Sequence, residues 1–314
     1  MAFTVFSACH SLDFARCSLP PATGTNSRSF ISASHLRFGC RQDFLVPKCR
    51  KKKGPFPLEA TVERAVGEQS EKMAHADEDE CELVSRLELT MGEGDDKIDA
   101  YLVKAMKNNN GSAILLLTDV FGFNNNDTRD FAYRLSCFGY NVLVPDLCQG
   151  IPWSKDRPKS EYEDWRAGHP SERVEKAIST AARWLKEEIA TAGTPKKLGL
   201  LGFCFGGGRV LEVLARDTEQ LFATAVSFYP TRFEEAVAET IYVPILLIAG
   251  EKDDLCPSEK VQSVARQIKG SKAHIYPDRG HAFAHHPSSD DDEDAEKAFA
   301  AMKAWFYEKL VSCS

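Results

Sequence analysis

Between residues 113 and 310, short unbroken apolar runs alternate with segments whose apolar residues recur every three or four positions, and few architectures accept that alternation. The runs Ala113 to Thr118, Tyr140 to Val144, Leu198 to Phe203, Ala223 to Phe228, Val243 to Ile248 and Ala273 to Tyr276 have the length of strands. The first two, Ala113 to Thr118 and Tyr140 to Val144, read as strands covered on both sides. Between the runs, Val174, Ile178, Ala181, Leu185 and Ile189 form one helical stripe from about Ser171, and Ala295, Phe299, Met302, Phe306 and Leu310 form another over about 292–310. Further helices are expected near 205–216 and 258–269, and Asn126 or Asp127 is placed to cap a helix carrying Phe131, Leu135 and Phe138. Two strand-like runs come first, Leu83 to Met91 and Ile98 to Val103, divided by the turn-forming Gly92-Glu93-Gly94-Asp95. Strands that alternate with helices connect by right-handed crossovers, which predicts an α/β fold with a mainly parallel sheet flanked by helices on both faces. Sites in such folds lie at the carboxyl ends of the strands.

The amino-terminal part of the chain has a different composition. Residues 1–53 are rich in Ser and Thr and hold nine Lys and Arg against Asp13 and Asp43, with no sustained hydrophobic period. This matches an organelle transit peptide rather than a secretory signal, which would show a compact apolar segment. Ala2 and the high hydroxyl content point to the chloroplast, with the plastid import machinery as the leader's partner. A mitochondrial leader, or a disordered tail on a cytoplasmic protein, is the alternative. Residues 54–80 read as an acidic linker, and the folded domain is expected over 81–314.

Residues 54–314 carry 30 basic and 44 acidic side chains. So acidic a body is a poor partner for phosphate backbones, and no nucleic acid is expected. No run approaches the roughly 18 apolar residues of a membrane-spanning helix, so no membrane partner is expected. The ten cysteines form no C-x-x-C pair and read as reduced thiols, most of them buried fillers.

One cysteine differs. Gly202-Phe203-Cys204-Phe205-Gly206-Gly207-Gly208 lies between an apolar strand and an apolar helix, the placement of a nucleophile elbow G-x-S-x-G with Cys in the nucleophile's position. Glycines are needed on either side because a Cβ there would collide with the neighbouring strand or helix. The other reading of the same residues is a glycine-rich turn with a structural thiol. An elbow needs a base and a carboxylate to orient it, in the chain order nucleophile, acid, histidine. Both follow: Gly250-Glu251-Lys252-Asp253-Asp254 after one strand and Pro277-Asp278-Arg279-Gly280-His281 after the next. Cys204, Asp253 and His281 are therefore the candidate catalytic set, with Asp254 the second choice for the acid. His281, His285 and His286 have no Cys or carboxylate at ligand spacing nearby, so neither a metal nor another cofactor is expected.

These stretches, together with Thr118-Asp119-Val120-Phe121-Gly122-Phe123-Asn124 and Gly280-His281-Ala282-Phe283, resemble the dienelactone hydrolase (carboxymethylenebutenolidase) family over essentially all of 81–314. The resemblance implies an α/β-hydrolase fold and a small ester or lactone substrate. It makes Cys204 the nucleophile, His281 its base and acid, and Asp253 the orienter. It also implies an oxyanion hole from the backbone N–H groups of Phe205 and Val120. Two positions depart from the family pattern. The first-loop carboxylate that helps to activate the thiol is Asp119 where the family has Glu, and the substrate-gripping Arg is replaced by His285. An imidazole lacks the bidentate fork of Arg, so a substrate other than dienelactone is expected. Arg157, Lys159 and Arg166 lie in the pocket-shaping region. The rival function is a non-catalytic ligand-binding or redox-responsive protein on the same scaffold.

Overall fold

The computed structural model describes residues 84–94, 97–190 and 197–312. The expected leader over 1–53 and linker over 54–80 lie outside the described residues. Eight strands form one sheet: β1 (Val84–Met91), β2 (Ile98–Ala105), β3 (Ala113–Leu117), β4 (Asn141–Pro145), β5 (Leu198–Phe203), β6 (Phe222–Phe228), β7 (Ile245–Gly250) and β8 (Lys272–Tyr276). Their spatial order is β1-β2-β4-β3-β5-β6-β7-β8. The hairpin β1–β2 and the pair β2–β4 are antiparallel. Every pairing from β4 through β8 is parallel, as the alternation required.

Burial explains the composition of the central strands. Every residue of β3, β5 and β7 is buried, so none of these strands tolerates a polar face. Burying one Leu or Ile side chain is worth about 1.5–3 kcal/mol, and β3 alone contributes Ile114, Leu115, Leu116 and Leu117.

Among the described residues there are six α-helices, α1 (Asn126–Cys137), α2 (Tyr162–Ala167), α3 (Ser171–Ala190), α4 (Cys204–Ala215), α5 (Ser258–Gln267) and α6 (Asp292–Phe306), and all but the short α2 pack on the sheet. The chain leaves β3 toward β4 on one side and returns past β3 to β5 on the other, so the crossovers α1 and α3 fall on opposite faces. Ring contacts between Phe131 and Phe299, centroids 5.1 Å apart, join α1 to α6. An ion pair between Arg216 and Glu175 joins the end of α4 to α3.

Three details differ from the expectations. The cap of α1 is Asn125, whose Oδ1 accepts from the N–H groups of Asp127 (2.9 Å) and Thr128 (3.4 Å), one residue earlier than expected. The short α2 was not anticipated, because six residues are too few to show a period. The last helix gives way at Tyr307 to a wider turn over Tyr307–Val311. Phe306 and Leu310 both pack over Gly199, where a Cβ would stand 3.0 Å from the first and 2.9 Å from the second.

Candidate active site

The strand order reverses between β3 and β5, and the loops that follow β3, β5, β7 and β8 carry Asp119 and Val120, Cys204, Asp253 and His281 in turn. The site therefore stands at the crevice where α/β sheets place theirs.

Cys204 heads α4 with φ +52°, a left-handed conformation that costs a residue with a side chain on the order of 1–3 kcal/mol. The surrounding backbone enforces it. The Gly206 N–H donates to Thr118 O at 3.1 Å and the Thr231 N–H to Cys204 O at 3.1 Å. A Cβ on Gly202 would lie 2.4 Å from Gly206 O, and one on Gly206 would lie 2.4 Å from both Leu117 O and Thr118 O. The collisions anticipated from the sequence are present, and they are with backbone. Phe205 sits in the first turn of α4, where leading N–H groups have no acceptor within the helix. Val120 is buried after β3, its carbonyl held by the N–H of Trp153 at 2.8 Å.

Asp253 is 4% exposed, and its neighbours fix its carboxylate. Oδ1 accepts from the N–H groups of Leu255 (2.9 Å) and Cys256 (3.1 Å), while Oδ2 lies 2.7 Å from His281 Nδ1. Asp254, by contrast, is exposed. With Nδ1 committed to Asp253, His281 directs Nε2 elsewhere. That nitrogen is buried and has the Cys204 thiol as its polar neighbour. Burial alone would lower the imidazole pKa; Asp253 and Cys204 outweigh it and push it up to about 10. The described buried cysteines, Cys148 and Cys256, have thiols pushed upward mainly by burial, as fillers should.

Asp119 departs from the role the resemblance implied. Its Oδ1 accepts from the Phe121 N–H at 2.8 Å, and its Oδ2 stands 2.6 Å from His286 Nε2 and 3.5 Å from His285 Nδ1. Among the described residues, no hydrogen bond joins it to the Cys204 thiol. Burial would raise this carboxyl, but the two imidazoles hold it far below the usual carboxylate range. The substrate-binding expectation for His285 is corrected. Its side chain is fully buried, stacked on Phe203 with centroids 4.0 Å apart and planes 8° apart, and its Nε2 meets Thr128 Oγ1 at 3.2 Å. A ring enclosed in this way has no face left for a substrate. The absence of a nearby carboxylate ligand for the histidines is corrected too, since Asp119 arrives from 167 positions away. Arg157 and Arg166 are paired with Glu161 and Glu163 at the surface, and Lys159 is exposed.

Two residues of the site escaped the sequence reading. Tyr229, at φ +37°, is fully buried with its ring edge toward His281 (5.0 Å) and its hydroxyl without a hydrogen bond. Burial raises its pKa strongly, and Asp119, Cys204 and Asp253 add to the effect. Tyr162 of α2 is raised by burial and then by Cys204. The one signal for Tyr229 was its place directly after a strand, in Tyr229-Pro230.

A mainly parallel sheet with a strained cysteine turn between strand and helix, and with an aspartate and a histidine paired on later strand ends, has the architecture of an α/β-hydrolase. Within that class, a model of the dienelactone hydrolase family matches residues 98–310. The chain belongs to that family and is a carboxylic ester hydrolase. It is 27% identical over 223 residues to a carboxymethylenebutenolidase homolog of Xenopus tropicalis, covering 68% of this chain and 88% of the relative. The Homo sapiens carboxymethylenebutenolidase homolog is 28% identical over 173 residues, which are 55% of this chain and 68% of that one. The dienelactone hydrolase structure from Anabaena variabilis shares the fold, with a TM-score of 0.55 at 20% identity over 73% of this chain and 99% of the other.

Proposed function

We propose that the protein opens a lactone or cleaves a small carboxylic ester through an acyl intermediate on Cys204. The observation that carries this reading is the pair of buried Asp253 and half-buried His281, 2.7 Å apart, standing beside a cysteine held in the left-handed conformation at the head of α4. In the first step the Cys204 thiolate attacks the ester carbonyl, and the electron pair of the C=O bond moves onto oxygen. The N–H groups of Phe205 and Val120 receive that oxyanion; one such donor is worth about 2.7–4 kcal/mol. The tetrahedral species collapses, the C–O bond to the leaving group breaks, and the His281 imidazolium gives its proton to the departing oxygen. In the second step neutral His281 takes a proton from water, hydroxide attacks the thioester, and the acid leaves as the thiolate is restored.

Asp253 holds the His281 ring in the tautomer that presents Nε2 to the thiol and stabilises the imidazolium between steps. Thiolates attack activated carbonyls readily, so small activated esters and enol-lactones suit this site better than amides. With p-nitrophenyl acetate, the wild-type protein is expected to gain one acetyl group on Cys204 and to turn over. The Cys204→Ala variant is expected to lose about 10³-fold or more in kcat/KM. Turnover unchanged in the Ala variant would reject the assignment.

A further inference from the structure

Beside the elbow, three side chains that the hydrolysis leaves unused converge. Asp119, His285 and His286 each offer one ligand atom, and these atoms lie within 4.8 Å of one another. We propose that they form a binding site for one divalent transition-metal cation, Zn²⁺ being the ion this donor set suits, and that the cation ties the loop after β3 to the loop after β8.

Zn²⁺ takes imidazole nitrogen and carboxylate oxygen at about 2.0–2.2 Å, which places neighbouring donors of a tetrahedron roughly 3.3–3.5 Å apart. His285 Nδ1 and Asp119 Oδ2 stand 3.5 Å apart. The 2.6 Å contact between His286 Nε2 and Asp119 Oδ2 is a hydrogen bond, and the cation replaces its proton, opening it by less than ~1 Å. His285 supplies the independent sign of a ligand. Its side chain is fully buried, and Nδ1 has only the Asp119 carboxylate for company, at 3.5 Å, the outer edge of hydrogen-bond distance. A buried nitrogen held so loosely calls for a reason, and a cation between the two would supply one.

The atoms turned away from the center are all held, as partners of metal ligands usually are. His285 Nε2 has the Thr128 hydroxyl at 3.2 Å, His286 Nδ1 has the Asp127 carboxylate, and Asp119 Oδ1 has the Phe121 N–H at 2.8 Å. The stacked Phe203 ring keeps His285 from turning. A cation would enter past His286 and Asp127, whose side chains are 12% and 54% exposed, and three protein ligands leave a fourth position for water. Because Asp119 precedes Val120, and His285 lies four positions beyond His281, the cation would fix the first loop against the histidine loop. None of this depends on Cys204 acting as nucleophile.

The test uses the full chain, stripped with a chelator and titrated with Zn²⁺ against a chromophoric competitor. Other histidines and cysteines in the chain also take up Zn²⁺, so the readout is the difference between proteins. Wild type is expected to bind one equivalent more than His286→Gln, with a rise in Tm and, on Co²⁺ substitution, a visible four-coordinate band that the variant lacks. Asp127→Asn, altered near the surface, is expected to weaken that equivalent by about 10–100-fold. Equal uptake by wild type and a folded His286→Gln overturns the proposal. Should His286→Gln not fold, unchanged Zn²⁺ affinity in Asp127→Asn overturns it instead.

Discussion

Gly206 has almost no latitude at the elbow. A Cβ there would meet the carbonyl oxygens of Leu117 and Thr118 at 2.4 Å each, and neither can move without breaking the end of a central strand. Overpacking against backbone belongs to the mechanisms behind large destabilisations, so Gly206→Ala is expected to lose about 3 kcal/mol or more in urea unfolding. An unchanged midpoint would show that the turn yields. The choice of acid was decided at the same scale. Asp253 and Asp254 are adjacent and chemically alike, yet only Asp253 turns inward to accept from Leu255 and Cys256 and to meet His281. Sequence order put both in the right loop; the direction of one side chain separated them. His285 is the opposite case, for the family resemblance implied a substrate contact at its position, and stacking on Phe203 puts it in the core.

The elements followed hydrophobic period closely wherever burial was complete. The stripe of α3 is buried at every residue named from the sequence, and so is that of α6 through Leu310. Boundaries were less legible because they depend on single hydrogen bonds. The α1 cap is such a case: three consecutive Asn and an Asp can each serve, and Asn125 does so by reaching the N–H groups of Asp127 and Thr128. Asn125→Ala is expected to cost about 1 kcal/mol, measured by chemical denaturation. Its effect should extend to the histidine loop, because the first turn of α1 carries the groups that hold His286 and His285. A loss below a few tenths of a kcal/mol would mean that water caps the helix equally well.

For the molecule as a whole, the raised pKa of His281 links stability to pH. A group whose folded pKa lies above its unfolded value of about 6.5 adds stability that is fully present below that value and is lost as pH rises through the folded one. For His281 the loss extends to about 10. The Tm difference between wild type and His281→Gln is therefore expected to be largest at about pH 6 and to close toward about pH 10. A difference independent of pH would show that folding leaves the imidazole pKa unchanged, and one that grows as pH rises above about 6 would show that the fold keeps the ring neutral. Asp119 acts at the other end of the range. Its depressed carboxyl adds stability that is present above the ordinary Asp value and fades as pH falls below it.

Periodicity and turn chemistry were enough to establish the alternating strands and helices, the parallel sheet and the elbow cysteine, because each of these reflects forces between residues close in the chain. The crossover rules then placed the aspartate and histidine loops on the same rim. What distance along the chain concealed was the company each side chain keeps: Tyr229 against His281, His285 beneath Phe203, and Asp119 brought across 167 positions to two histidines. Those pairings come from packing in three dimensions, where the fit of enclosed surfaces and the need to satisfy buried charge select neighbours that no spacing along the chain encodes.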